Sequence, residues 1–148
     1  MPEKLLVRRA AVLGAGVMGA QIAAHMTNAG IDTVLFDLAA EGSSPDARNA
    51  VATKAIANLG KLSPAPLASK LFGELITPAN YDDSLELLRG CDLIVEAIAE
   101  RMDWKQALYR RIAPFVSPDA VLASNTSGLG INALADVLPE ELRHRFCG

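Results

Sequence analysis

Three groups of residues in this sequence have the types and the spacing to do chemistry. The first is Gly14-Ala15-Gly16-Val17-Met18-Gly19, a G-x-G-x-x-G run. In such a run the first glycine permits a tight turn, the second lets backbone approach a ligand, and the third lets a helix pack closely on a strand. Free N–H groups at the helix mouth, with the positive end of its dipole, can then hold a diphosphate without any charged side chain. The second is Asp37, eighteen residues after Gly19, where a carboxylate can accept hydrogen bonds from ribose hydroxyls. The third pairs Val95-Glu96-Ala97-Ile98-Ala99-Glu100 and the nearby Lys105 with Ala123-Ser124-Asn125-Thr126-Ser127-Gly128. Both stretches put polar residues directly after apolar runs.

A glycine string alone is weak evidence, so the elements around it decide. Arg9 to Leu13 reads as a buried strand, Val17 to Ala29 as a helix by its spacing of Met18, Ile22 and Met26, and Thr33 to Phe36 as a second strand. Gly30 sits where a left-handed residue commonly ends a helix. Ser44 and Pro45 predict a helix start, with the helix running to about Leu59 before Gly60. A short helix is expected over Leu67 to Phe72 and a brief strand at Leu75-Ile76-Thr77. Asp82 is expected to cap a helix carrying Leu85, Leu88 and Arg89 and closed by Gly90. Leu93 to Val95 and Val121 to Ala123 read as strands, with a helix between them from Asp103 to Phe115. Strands alternating with helices imply right-handed crossovers, and hence a Rossmann-type doubly wound α/β fold with a mainly parallel sheet and helices on both faces. The ends of its strands would bring all three groups to one crevice.

In that context the glycine loop and Asp37 predict a dinucleotide. NADP is disfavoured, because a 2′-phosphate would face Asp37 while Leu38-Ala39-Ala40-Glu41 offers no Arg or Lys. The cofactor expected is NAD. Against this stands the plainer possibility that Asp37 only caps the loop. By spacing alone, Glu100 and Lys105 could be a solvated pair at a helix start, and Ser124 and Thr126 could simply turn the backbone.

Composition narrows the function classes. The 148 residues suit one domain, and a 51% hydrophobic share with 5% aromatic leaves burial to Ala, Val, Leu and Ile. A net charge of -3 offers no field to hold a polyanion, so nucleic acid is not an expected partner. No apolar run approaches the roughly 20 residues that cross a bilayer, so no membrane partner is expected either. Met1 to Arg9 carries basic residues, but a strand follows at once and no targeting signal is read there. Cys91 and Cys147 form neither a metal-type pair nor a disulfide framework. They read as small buried hydrophobes in a cytoplasmic protein, and no metal site is expected.

Together, the glycine loop, Glu100 with Lys105 and above all Ser124-Asn125-Thr126-Ser127 resemble the N-terminal domain of the 3-hydroxyacyl-CoA dehydrogenases, across essentially the whole chain. The resemblance implies NAD-dependent oxidation of an L-3-hydroxyacyl-CoA to the 3-ketoacyl-CoA in fatty acid β-oxidation. It implies that Gly14, Ala15, Gly16, Val17, Met18, Gly19, Asp37, Ala97, Glu100, Lys105, Asn125 and Ser127 form the cofactor site. Glu100 and Lys105 would contact the nicotinamide-side ribose, Asn125 would shape its turn, and Ser127 would hydrogen-bond the reacting oxygen as the catalytic contribution of this chain. Arg48, Lys54, Lys61 and Lys70 fall where such enzymes approach CoA, and equally suit a solvated surface. Trp104, beside Lys105, should report NADH near the nicotinamide end.

The family also uses a histidine base, and neither His25, mid-helix, nor His144, in a charged stretch, suits that role. By the family pattern the catalytic histidine falls two positions past Gly148, and a C-terminal helical domain would supply the rest of the substrate site and most of a homodimer contact. The expectation is therefore one NAD-binding domain over residues 1–148, binding cofactor without turnover, from a dimeric enzyme or a larger multifunctional one. Two other readings remain: a stand-alone NAD(H) sensor, and another β-hydroxyacid or sugar-nucleotide dehydrogenase of the same fold.

Overall fold

The computed structural model describes residues 4–148, so the first three residues of the basic N-terminal segment lie outside the described residues. Its centre is a strand that water does not reach. In β1 (Arg9–Leu13) the four apolar residues after Arg9 are completely buried, and β2 (Asp32–Asp37) repeats this over Val34, Leu35 and Phe36. Strands apolar on both faces belong in the middle of a parallel sheet covered on both sides. The alternation shows which side is which. Ala11, Leu13, Val34 and Phe36 enter one core cluster, and Val12 and Leu35 enter the other.

Four further strands complete the sheet: β3 (Ile76–Asn80), β4 (Leu93–Glu96), β5 (Val121–Ser124) and β6 (Phe146–Cys147). All neighbours pair in parallel, in the order β3-β2-β1-β4-β5-β6. This is the doubly wound arrangement, with the order reversing at β1. The helix α1 (Val17–Asn28) buries only Gly19, Ala20, Ala23, Ala24 and Thr27. Such small side chains let its axis lie close to β1, and a larger one, as in Ala23→Leu, would cost about 1–3 kcal/mol of overpacking. The opposite face is covered by α4 (Met102–Ile112), which contributes Leu108, Tyr109 and Ile112, and by α5 (Ile131–Ala135) and α6 (Glu140–Arg143), which contribute Leu134 and Leu142.

Several expected elements differ in form. The helix expected from Pro45 to Leu59 is two, α2 (Pro45–Arg48) and α3 (Ala50–Leu59), broken at Asn49, whose Oδ1 accepts a hydrogen bond from Asn80 Nδ2 at 2.7 Å. Ser44 does cap α2, accepting from the Ala47 amide at 3.2 Å. The segment expected as a helix over Leu67 to Phe72 is a 3₁₀ turn at Lys70–Leu75. It is displaced because Asn28 grips Pro66 and Ala68 on either side of Leu67. The Asp82 helix is a 3₁₀ turn, Leu85–Gly90. Asp82 does not cap it, since the Asn80 side chain already accepts from the Asp82 and Asp83 amides. β3 runs longer than expected, through Pro78, which an edge strand tolerates. α4 stops at Ile112, with a 3₁₀ turn around Pro114. Of the cysteines, Cys91 is buried as expected, but Cys147 is exposed, because the two-residue β6 forms the sheet's other edge.

Candidate dinucleotide site

Three strand ends meet above β1, and backbone hydrogen bonds carry the sheet upward into their turns. The Gly14 amide donates to Phe36 O at 2.8 Å, Ala97 N to Leu13 O at 2.7 Å, and Asn125 N to Glu96 O at 2.8 Å. The turns after β1, β4 and β5 are therefore fixed to one another.

Two of the three loop glycines are required by the protein's own packing, and the third is not. Gly14 has φ +104°, and a Cβ there would lie 2.7 Å from the Ala97 carbonyl oxygen. A Cβ on Gly19 would lie 1.7 Å from Gly14 O, which no L side chain can satisfy. At Gly16 a Cβ would meet nothing within 4 Å, so the protein's own packing does not call for glycine there. What it leaves is open room at the mouth of α1, whose N-cap supplies no side-chain hydrogen bond. First-turn N–H groups lack partners within a helix. Here α1 begins at Val17, directly after Gly16, and such a helix mouth is where an anion can bind.

Asp37 ends β2 with its side chain turned back to the loop. Its Oδ2 accepts from Ala15 N at 2.6 Å and its Oδ1 from Leu38 N at 2.7 Å. Each carboxylate oxygen keeps a further lone pair for a sugar hydroxyl. Capping the loop and reading a ribose are thus compatible. Asp37 and Leu38 line a cavity of about 570 Å³ together with Gly14, Gly16, Tyr81, Ala97, Ile98, Trp104 and Arg111. The Tyr81 hydroxyl is buried and has no hydrogen-bond partner among the described residues. Burial, with Asp37 and Glu96 nearby, raises its pKa well above that of an ordinary phenol. Arg111 brings a cation to this wall that the sequence order did not suggest, but its guanidinium is held by Tyr81 O at 2.9 Å and Asp82 Oδ1 at 2.6 Å. Trp104, with the Arg101 guanidinium 4.4 Å from its ring centroid, shares the cavity with Asp37 and Leu38 instead of following Lys105. Consecutive helix positions point about 100° apart.

The other half of the site centres on two carboxylates. Glu100 Oε1 accepts from the Thr126 hydroxyl, from Ser127 N at 3.2 Å and from Gly128 N at 3.1 Å. The Thr126 hydroxyl first, then those amides and Lys105, lower the Glu100 pKa to about 2. Glu96, absent from the expected site, is completely buried and fully used. Its Oε1 accepts from Tyr109 Oη at 2.5 Å and Ser124 Oγ at 2.8 Å, and its Oε2 from Ile98 N at 2.9 Å and Lys105 Nζ at 2.5 Å. Lys105 has no exposed surface at all and lies 3.5 Å from Glu100 Oε2. Asn125 and Ser127 are exposed on the turn that Glu100 shapes. A glutamate closing an apolar strand, with Lys105 and Tyr109 one helical turn apart, was the available signal for this network.

Neither histidine reaches the cleft: His25 is exposed on α1, and His144 is exposed where α6 ends. Arg48 is spent on Asp82 and Asp83. Lys61 and Lys70 border a second, mostly apolar cavity of about 540 Å³ between α3 and β3, with Thr53, Ile56 and Leu67. No helix of the described residues is long and apolar enough to cross a membrane.

Comparison with known proteins gives the family and the fold. Residues 9–148 match the family described as 3-hydroxyacyl-CoA dehydrogenase, NAD binding domain. A putative fatty acid oxidation complex trifunctional enzyme of Rickettsia felis is 39% identical over 140 residues, covering 95% of this chain and 19% of that protein. A probable 3-hydroxyacyl-CoA dehydrogenase of Deinococcus radiodurans is 36% identical over 142 residues, covering 96% of this chain and 40% of that one. Among solved structures, 3-hydroxybutyryl-CoA dehydrogenase from Escherichia coli K12 superposes with a TM-score of 0.72 at 28% identity, over 94% of this chain and 29% of that one. The chain thus spans less than half the length of each of these relatives. Its doubly wound sheet is that of a dinucleotide domain, and the chain belongs to the 3-hydroxyacyl-CoA dehydrogenase family as its NAD-binding domain.

Proposed function

We propose that this chain is the cofactor half of an L-3-hydroxyacyl-CoA dehydrogenase acting in fatty acid oxidation. The observation that carries the reading is the shared cleft. Gly16 leaves open room at the mouth of α1, the Asp37 carboxylate turns back to the same loop, and Ser127 stands on a turn rising from the same sheet edge. NAD, when bound, supplies the hydride acceptor. The chain's own groups bind and orient. The helix mouth holds the diphosphate, Asp37 takes the adenosine ribose hydroxyls, and Ala97, Glu100 and Asn125 frame the nicotinamide end, with the fully buried Lys105 holding Glu100 from beneath. Ser127 donates to the substrate oxygen as it becomes a carbonyl, a neutral donor that adds no charge beside the cofactor. Among the described residues the cleft holds no histidine to take the proton of the alcohol.

Acyl-CoA is the substrate partner, with Lys61 and Lys70 at the second cavity as the groups nearest in chemistry to a CoA phosphate. Residues 1–148 are one domain of an enzyme that functions as a homodimer or within a multifunctional protein. We place the reaction in the cytoplasm, where two unpaired thiols suit the redox state. A second reading, an NAD(H) sensor, is favoured only by the cleft's lack of a histidine among the described residues.

Titration of the protein with NADH and NADPH, followed by assay with 3-hydroxybutyryl-CoA and NAD, tests both readings. NADH binding tighter than NADPH, with oxidation appearing when a family C-terminal domain is joined to the chain, supports the dehydrogenase. NADH binding without activity in that fusion supports the sensor, and no NADH binding overturns both.

A further inference from the structure

The Ser124–Gly128 turn is clamped at both ends, and the two clamps are joined through one lysine. At its start Ser124 Oγ donates to Glu96 Oε1 at 2.8 Å, and farther on Ser127 N and Gly128 N donate to Glu100 Oε1 at 3.2 and 3.1 Å. Lys105 Nζ bridges the carboxylates, 2.5 Å from Glu96 Oε2 and 3.5 Å from Glu100 Oε2. Glu96 accepts four hydrogen bonds, which fills its acceptor sites, and it has no exposed surface. It can therefore touch neither cofactor nor substrate. A buried ion pair adds little to stability compared with apolar side chains of the same volume, but it fixes geometry where each member is fully paired.

We propose that Glu96 is a positioning residue of the nicotinamide half of the cleft: it anchors Lys105 and Ser124, and through Lys105 it sets Glu100 and the turn that carries Ser127. The proposal rests on the cofactor reading above. It leaves the adenosine half to other side chains, because among the described residues the glycine loop and Asp37 make no hydrogen bond to the side chains of Glu96, Lys105 or Glu100, and the two halves are joined through backbone. The adenosine diphosphate portion should then be bound independently of Glu96.

The experiment compares NADH with ADP, which lacks the nicotinamide ribose, by calorimetric titration of the unsubstituted protein and of Glu96→Gln. Gln keeps the side-chain shape but removes the charge that holds Lys105. The expected result is NADH binding weakened about tenfold with ADP binding changed less than about twofold. Glu96→Gln leaves Lys105 as a buried charge without its closest partner, which can prevent folding. The double variant Glu96→Gln/Lys105→Met removes both charges together and should show the same selective loss of NADH. Equal weakening of both ligands, or a double variant that binds NADH as the unsubstituted protein does, would overturn the proposal. If the unsubstituted protein fails to bind NADH, the cofactor reading itself falls, which the first titration decides before any variant is compared.

Discussion

Asp37 Oδ2 accepts the Ala15 amide proton at 2.6 Å, so the carboxylate proposed to read the ribose also locks the glycine loop to the end of β2. Asp37→Ala removes both functions. A charge-assisted hydrogen bond is worth about 1.5–3 kcal/mol, so NADH binding should weaken by roughly tenfold or more. NADPH should lose less, because the repulsion of its 2′-phosphate disappears, and the ratio of the two affinities should narrow. Quenching of Trp104, which lines the same cavity, provides the titration signal. An unchanged ratio would remove Asp37 from cofactor selection.

Gly16 and Gly19 separate binding from folding. Gly16→Ala should leave the thermal midpoint nearly unchanged, since its Cβ meets nothing within 4 Å, yet it should abolish NADH binding by filling the room proposed for the diphosphate. Gly19→Ala should unfold or severely destabilise the protein, because its Cβ would sit 1.7 Å from Gly14 O. Paired thermal melts and titrations check both.

The Glu100 carboxyl, lowered from 4.5 to about 2 mainly by the Thr126 hydroxyl and the Gly128 amide, makes stability depend on pH in a defined window. A depressed carboxylate contributes fully above its unfolded value and loses that contribution as pH falls through its folded one. Melts of the unsubstituted protein and of Glu100→Gln should therefore differ by a constant amount above pH 4.5 and converge between 4.5 and about 2. A difference that grows on acidification would contradict the assigned partners.

Tyr81→Phe should stabilise the protein, because it deletes a buried hydroxyl without a partner and keeps the ring stacked 6.0 Å from Phe36. An unsatisfied buried group costs about 1–3 kcal/mol, so a gain on the order of 1 kcal/mol in chemical denaturation is expected. Destabilisation instead would mean that the hydroxyl is satisfied in solution.

Thiol labelling under native conditions should modify Cys147 quickly and leave Cys91 untouched until unfolding. Cys147 is exposed, while burial pushes the Cys91 thiol up to about 11. Mass spectrometry of the labelled protein should show one modification before denaturant and two after.

The central fold was legible because its signals are local. Ala10 to Leu13 and Val34 to Phe36 are uninterrupted apolar runs, and the glycine run between strand and helix admits few structures. Where local spacing fits two periods the reading went astray. Leu85 and Leu88 stand three apart, which suits a 3₁₀ turn as well as an α-helix, and Asn80, outside the segment, decided between them. β6 was invisible, since two residues carry no period and its pairing of Phe146 with Leu122 is set by distant chain. The buried side of the candidate site was the hardest to see. A lysine is ordinarily a surface residue, and Lys105 is inside only because Glu96, nine positions earlier, meets it there.

The contact between Gly14 and Ala97 has a consequence for what the cleft can become. The two halves of the sheet approach so closely beneath it that one methyl group would part them. Its floor is therefore set by an atom that is missing, and no choice of side chain at that point can deepen or reshape it. Any redesign for a different nucleotide must work from the rim, where Leu38 and Trp104 stand exposed and free to change.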